Sequence, residues 1–119
     1  EDVVRDVVGE MLKQMGYDVE FSQDGAEAID LYVQARKSGR PFDVVIMDLT
    51  VPGGMGGKEA IARLIELDPD VKALVSSGYS NDPIMANFAE FGFRGVVVKP
   101  YKIEDLSETI HRVIEGSGR

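Results

Sequence analysis

The chain has no cysteine, no tryptophan, a single histidine and relatively few basic residues. Without cysteine it has neither a disulfide framework nor thiolate chemistry, which fits a reducing interior, and we expect a cytoplasmic protein. Thirteen basic residues against 21 acidic ones give a formal net charge of -8. This charge argues against nucleic acid or an anionic membrane as a direct partner, whereas a protein or a metal ion suits it.

Long apolar runs are also missing. The longest ones, such as residues 44–47 and 96–98, are far too short to cross a bilayer, and no signal-peptide pattern opens the chain. The 119 residues, 44% of them hydrophobic, are enough for one compact domain with a single core. We expect this domain to span residues 1–115, with a flexible tail over residues 116–119. Because residue 1 is not methionine, the sequence reads as a piece of a longer chain.

The apolar spacing predicts helices and strands in alternation. Helices show apolar residues three and four positions apart, and strands appear as short apolar or alternating runs. The pattern predicts, in chain order, a helix over Val3–Met15, a strand over Tyr17–Phe21, a helix from the N-cap Asp24 to a break at Ser38, a strand over Val44–Met47, a helix around Ile61–Leu67, a strand over Val71–Val75, a helix over Asp82–Phe91, a strand over Gly95–Val98 and a helix over Ile103–Ile114. Such an order is typical of the α/β class with a doubly wound parallel sheet.

Three of the predicted strands are followed by polar or charged side chains. Asp48 follows one apolar run, Ser76 and Ser77 follow the next, and Lys99 follows the last. In open parallel sheets ligands bind beyond the carboxyl ends of the strands, so these side chains should converge on one edge. A carboxylate, a hydroxyl and an ammonium can there act as nucleophile, donate a hydrogen bond to a phosphoryl oxygen and neutralise its charge.

The residues around these positions resemble the receiver domains of two-component signalling. The matching motifs are Val-Val-Ile-Met-Asp48-Leu-Thr-Val-Pro52 with its glycine-rich loop, Leu-Val-Ser-Ser77-Gly-Tyr, and Gly95-Val-Val-Val-Lys99-Pro100. Each motif is weak alone, but together they are specific, and the resemblance covers nearly the whole chain. It implies the flavodoxin-like receiver fold.

The resemblance also implies a role for each residue. Asp48 would be the phosphoacceptor, phosphorylated by a histidine kinase or a phosphotransfer protein. Ser77 would be the hydroxyl that senses the phosphoryl group, and Lys99 the cation that pairs with it. Mg²⁺ would be the cofactor, held by Asp48 and the backbone carbonyl of Thr50. The chain would then be a signalling domain that switches a protein-interaction surface rather than an enzyme, in a stand-alone regulator or in a hybrid kinase.

Simpler interpretations stand beside these roles. An aspartate after a strand is commonly a cap or turn residue, a serine can simply end a strand, and a lysine is usually solvated. Neighbouring residues of a strand face opposite sides of the sheet, so Ser76 and Ser77 cannot both face the site. The Ser-Gly-Tyr motif favours Ser77. The glycines in the range 53–57 do not match the P-loop pattern, and we interpret them as residues that make the loop flexible. His111 lies off the apolar stripe of its helix and is interpreted as a solvated surface residue.

The chain departs from the family pattern in two places. Receivers begin with an apolar strand that ends in an acidic pair, which holds magnesium, whereas here a helix is predicted at once. Glu1 and Asp2 would fall just after that pair and are interpreted as helix N-terminal charge. Many receivers also carry an aromatic residue that swings inward on phosphorylation, where this chain has Val96. We therefore expect it to signal through Ser77 and backbone shifts.

Two other functions are also compatible with the sequence. Without the acidic pair, the chain could be a receiver-like interaction module that takes no phosphoryl group in this form. Acetyl phosphate or beryllofluoride with magnesium distinguishes this module from a phosphorylatable receiver. The third function is a flavodoxin-like nucleotide or flavin binder, for which the glycine fingerprint after the first strand is lacking.

The absent first strand leads to a prediction about assembly. A strand buried on both faces should have neighbouring strands on both edges. For Val44–Met47 the sequence offers a partner on one edge, Val71–Val75, and none on the other. We expect this chain alone to form a strand-exchanged oligomer or to be poorly soluble, and to bind magnesium weakly. Light scattering and magnesium titration measure both properties, and an added apolar strand ending in two aspartates should reverse both. A stable monomer that binds magnesium tightly would contradict the prediction.

Overall fold

The computed structural model describes residues 9–22, 24–48, 56–77, 83–99 and 102–115. Helices and strands alternate through these ranges, and their bounds are helix α1 with residues 9–14 described, α2 (Gly25–Lys37), β1 (Val45–Asp48), α3 (Gly57–Leu67), β2 (Ala73–Ser77), α4 (Pro83–Ala86), α5 (Phe88–Phe91), β3 (Gly95–Val98) and α6 (Ile103–Glu115). Within them no helix has the length and apolarity needed to cross a membrane. The predicted α/β class is confirmed.

The described strands form one parallel sheet in the order β1-β2-β3. Register pairs Asp48 with Ser76, and Ser77 with Val98. The central strand β2 is completely buried over residues 73–75. β1 lies at an edge of this described sheet, and its apolar residues pack against the core on both sides, Val45 and Met47 on one side and Ile46 on the other. Both faces are therefore covered as predicted, but only Met47 is fully buried. The strand exchange expected at this edge stays a prediction.

Residues 17–21 do not form the predicted strand. A strand needs a neighbour for its backbone hydrogen bonds, and the described ranges supply none beside this segment. The predicted alternation nevertheless shows in the burial, because Tyr17 and Val19 pack against the core while Asp18 and Glu20 are exposed. The predicted alternation holds for Asp18, Val19 and Glu20 but is wrong for Phe21, which is 43% exposed. The sequence pattern also did not predict the missing pairing that would make the segment a strand.

Apolar side chains fill the space on both sides of the sheet. Alternation along β2 sends Ala73 and Val75 to one side and Leu74 to the other. The first side is covered by α2, α3, α4 and α5, and the second by α1 and α6. The most buried side chains of the helices are Tyr32, Ala60, Ile61, Leu64 and Met85 on the first side and Leu12, Leu106, Ile110 and Val113 on the second. Burial of each leucine, isoleucine, valine or methionine among them contributes roughly 1.5–3 kcal/mol. A sheet between two helical layers is the doubly wound arrangement.

Two short helices replace the single helix predicted over Asp82–Phe91. Asn87 has φ -117° and ψ 39°, which interrupts the helical conformation between α4 and α5. Asn is a poor residue for a helix interior because its side chain competes for backbone hydrogen bonds. Gly92 then ends α5 in the left-handed conformation, with φ +103°, which glycine adopts without strain. Asp82 lies outside the described residues.

Helix α2 begins as the sequence predicts. The backbone N–H of Glu27 donates a hydrogen bond to Asp24 Oδ1 at 3.0 Å, and Asp24 has an extended conformation. An aspartate in this position satisfies one of the free N–H groups of the first turn. The N-cap prediction is confirmed.

Helix α2 is also joined to the connection between α3 and β2. Tyr32 Oη donates a hydrogen bond to Asp68 Oδ2 at 2.6 Å, and Arg36 Nη1 donates one to the Leu67 carbonyl at 3.1 Å. The Tyr32 hydroxyl lowers the pKa of the Asp68 carboxyl because it stabilises the ionised form. Burial, followed by this same hydrogen bond, raises the pKa of Tyr32 well above its usual value. The pair therefore prefers a neutral phenol and an ionised carboxylate.

Tyr32→Phe should lower the free energy of unfolding by about 1–2 kcal/mol at neutral pH, because it removes a hydrogen bond to a charged, partly buried group. The folded-state pKa of Asp68 is depressed, so its contribution is present above the ordinary carboxyl range and is lost as the pH falls through the folded-state pKa. Urea unfolding of the two proteins from neutral to acidic pH checks this. Tyr17→Phe, at a half-buried tyrosine on the other side of the sheet, is the control. A difference that stays constant down to acidic pH would contradict the assignment.

Candidate functional site

Asp48 and Lys99 meet at the carboxyl edge of the sheet. Asp48 is the last residue of β1, and Lys99 follows the last residue of β3. The two strands lie on either side of β2, yet Lys99 Nζ donates a hydrogen bond to Asp48 Oδ2 at 2.5 Å. The structure thus brings the carboxylate and the ammonium of the predicted site into direct contact.

The ion pair is open to solvent. The Asp48 side chain is 38% exposed and that of Lys99 is 31% exposed. An ion pair with this exposure contributes only about 0–1 kcal/mol to folding, because water screens it. The pair is therefore a weak contribution to stability, but it leaves a carboxylate that a small ligand can reach, with a cation held beside it.

The two serines of β2 have different places at this edge. Ser76 is the register partner of Asp48 and is 1% exposed, so it is buried within the sheet. Ser77 ends β2 one residue further on and is paired with Val98, while its side chain lies outside the described part of the structure. Only the backbone of Ser77 is thus placed at the carboxyl edge, and its role stays a prediction.

Gly57 brings the first turn of α3 against the main chain of Asp48. A Cβ added to Gly57 would stand 2.9 Å from the carbonyl oxygen of Asp48 and 3.5 Å from Met47 Cβ. Gly57 is buried and is the first residue of α3, with Gly56 as its N-cap. Its interpretation as loop flexibility is therefore wrong. Spacing alone could not reveal its packing, because a glycine before an amphipathic helix is common in loops as well.

Some of the other residues named from the sequence are described by the structure, and some are not. Thr50, Glu1 and Asp2 lie outside the described residues, as does the predicted tail. Val96 is half-buried in β3 and packs against the core on the side of α3. His111 is exposed on α6, with Nε2 3.2 Å from Glu115 Oε1, which agrees with a surface residue.

The described residues at the carboxyl edge of the sheet provide part of a ligand set for a metal ion. The described ranges hold no cluster of three or more histidine, cysteine or acidic side chains. Asp48 provides one accessible carboxylate, of which Oδ2 accepts a hydrogen bond from Lys99. Mg²⁺ is commonly held by one or two carboxylates together with waters and substrate phosphates, so the chemistry of Asp48 fits such an ion. The other predicted ligand, the Thr50 carbonyl, is among the residues not described.

Comparison with known proteins leads to one family. The family model of the response regulator receiver domain matches residues 1–111. Over 118 residues the chain is 30% identical to the sensor kinase CckA of Brucella abortus. The match covers 97% of this chain but only 12% of that kinase. Over 111 residues it is 26% identical to the chemotaxis protein CheY of Thermotoga maritima, covering 92% of this chain and 88% of that protein.

A solved structure shares the fold. It is the receiver domain of the sensor histidine kinase PA1611 from Pseudomonas aeruginosa, with a magnesium ion coordinated in its active site cleft. The TM-score is 0.77 at 24% identity, and the match covers 98% of this chain and 92% of that one. At this identity the likeness establishes the arrangement of helices and strands, which is the flavodoxin-like one expected from the sequence.

Proposed function

The chain belongs to the response-regulator receiver family, and from that premise we propose that it is a phosphoacceptor in a two-component phosphorelay, phosphorylated on Asp48. The observation that carries the proposal is the contact between the exposed Asp48 carboxylate and Lys99 at the carboxyl edge of the sheet. Ligands bind at this edge in open α/β sheets, and the two groups have the charges that phosphoryl transfer requires.

In the proposed reaction, a carboxylate oxygen of Asp48 attacks the phosphorus of a phosphohistidine on a kinase or a phosphotransfer protein. A P–O bond forms, the P–N bond breaks, and the histidine nitrogen leaves. Phosphoryl transfer needs little covalent help from the protein, so positioning and charge neutralisation do most of the work. Lys99 stands where it can neutralise the charge on the phosphoryl oxygens, because its Nζ already lies beside Asp48 Oδ2.

Mg²⁺ is the cofactor that we propose, with Asp48 and the Thr50 carbonyl as its ligands from this chain. Held by these residues, it would supply further positive charge to neutralise the transferring phosphoryl group. The magnesium ion in the cleft of the similar receiver from Pseudomonas aeruginosa supports this assignment. The exposed carboxylate of Asp48 supports it as well.

The new phosphoryl group would change the partners of the site. Lys99 would pair with a phosphoryl oxygen instead of Asp48 Oδ2, and Ser77 would donate its hydroxyl to another. Ser77 ends β2 and Lys99 follows β3, and these two strands contact α4 and α5 respectively. We propose that the surface formed by α4, α5 and β3 changes its affinity for a partner protein in response. The relay partner is a histidine kinase or a phosphotransfer protein, and we place the domain in the cytoplasm.

The whole protein is a separate question. The chain resembles a short part of one long sensor kinase and most of one chemotaxis protein. Both a hybrid kinase and a stand-alone regulator therefore fit the proposal. The alternative of a module that takes no phosphoryl group is not favoured, because Asp48 is accessible and has its cation beside it.

Asp48→Asn should abolish phosphorylation and keep the fold, because the amide preserves the shape and removes the nucleophile. Incubation with acetyl phosphate and magnesium, followed by intact-mass analysis, measures this, and circular dichroism measures the fold. Asp43→Asn, at an exposed acidic residue just before β1, is the matched control and should be phosphorylated like the wild type. Undiminished phosphorylation of Asp48→Asn would remove Asp48 from its role.

Lys99→Ala should impair the response to a phosphoryl group without lowering the affinity for magnesium, because Lys99 is a cation and competes for the Asp48 carboxylate. Loss of one charge-assisted hydrogen bond, roughly 1.5 kcal/mol, corresponds to about tenfold weaker binding of beryllofluoride. Calorimetric titration with magnesium, and then with beryllofluoride, separates the two effects. Lys102→Ala, at an exposed lysine three residues further on, is the control. A variant that loses magnesium affinity alone would contradict the assignment.

A further inference from the structure

The backbone conformation of Gly57 does not require a glycine at this position. The glycines with positive φ in the described ranges are Gly16, Gly39 and Gly92, so the φ of Gly57 is one that alanine also adopts. Alanine is the better residue in a helix, and Gly57 belongs to α3. What excludes a side chain is space, because its Cβ would stand 2.9 Å from the Asp48 carbonyl oxygen and 3.4 Å from the carbonyl carbon.

Two other buried glycines show how this contact differs. A Cβ on Gly9 would stand 2.8 Å from the tip of the Phe21 ring, and one on Gly95 would stand 3.0 Å from Leu74 Cδ2. In both cases the neighbour is the far end of a side chain, and the Phe21 ring, which is 43% exposed, can rotate away. At Gly57 the neighbour is a peptide carbonyl, which cannot move without moving the strand that contains it.

Both sides of the Gly57 contact are held in place. Asp48 is in register with Ser76 in the parallel pair of β1 and β2. Helix α3 is anchored by Ala60, Ile61 and Leu64, which are between 0% and 1% exposed. A methyl group on residue 57 would therefore have to displace either a fully packed helix or the end of the edge strand β1. Within the described sheet β1 pairs with β2 alone, so the displacement should fall on Asp48.

We propose that Gly57 is a positioning residue for the phosphoacceptor. Its missing side chain lets α3 rest on the Asp48 main chain, and this fixes the Asp48 carboxylate at the distance where Lys99 Nζ reaches Oδ2. The inference rests on the proposed function, because it is the phosphoryl transfer that needs this geometry. Misplacement of a reacting group by about 1 Å can lower a rate by about 10²-fold.

The test compares Gly57→Ala with Gly9→Ala in the full chain. Both variants add one methyl group to a helix at a similarly close contact, but only the first contact involves the Asp48 backbone. With acetyl phosphate and magnesium, Gly57→Ala should be phosphorylated about tenfold more slowly, whereas Gly9→Ala should stay within about twofold of the wild type. The NMR shift of the Asp48 carbonyl carbon should change in Gly57→Ala and stay constant in Gly9→Ala.

A merely structural role would lower the thermal midpoint of Gly57→Ala and leave the phosphorylation rate of its folded fraction unchanged. That result would overturn the inference. A wild-type chain that takes no phosphoryl group would instead overturn the proposed function, and the positioning role with it.

A second measurement does not require the variant to fold. Beryllofluoride with magnesium, added to the wild type, should shift the amide resonance of Gly57, because this residue rests on the carbonyl of the residue that binds the ligand. The amide of Gly9, which contacts Phe21 instead, should stay where it is. A Gly57 amide that does not respond to a bound beryllofluoride overturns the inference as well.

Discussion

The site depends on the register of three parallel strands. Asp48 and Lys99 are 51 residues apart in the chain, and they meet only because β1 and β3 flank β2 and end at the same edge. A slip of one residue in either pairing would turn every side chain of the slipped strand to the other side of the sheet. The burial of residues 73–76 in β2 opposes such a slip, because Leu74 and Val75 would each be turned towards the core on the opposite side of the sheet. Core packing therefore sets the distance between two side chains that are themselves half exposed.

Most of the fold could be predicted because each element has a strong local pattern. Helix α6 has an apolar stripe at helical spacing, and the N-cap of α2 is visible as Asp24 three residues before Glu27. The edge of the sheet where Asp48 and Lys99 meet follows from strand order alone. These features need only short stretches of chain and the rule that parallel strands end together.

What the sequence did not predict depends on contacts between distant segments. Residues 17–21 have strand-like alternation, yet pairing requires a neighbouring strand, and alternation carries no information about one. Gly57 looks like one of several loop glycines, and its close approach to Asp48 depends on how α3 packs. The hydrogen bond between Tyr32 and Asp68 joins residues 36 positions apart, and no spacing rule connects them. Local propensity and tertiary packing are thus separate sources of information.

The interruption at Asn87 has an energetic consequence for the side of the sheet next to the site. It leaves α4 and α5 with four residues each, and α5 has no fully buried residue. Helices this short cannot sustain themselves and rely on packing, which here comes mainly from Met85 and the half-buried Phe88 and Phe91. Segments with few buried contacts open at a lower free energy than the core does. A small change in free energy is therefore enough to shift how often this pair of helices is open.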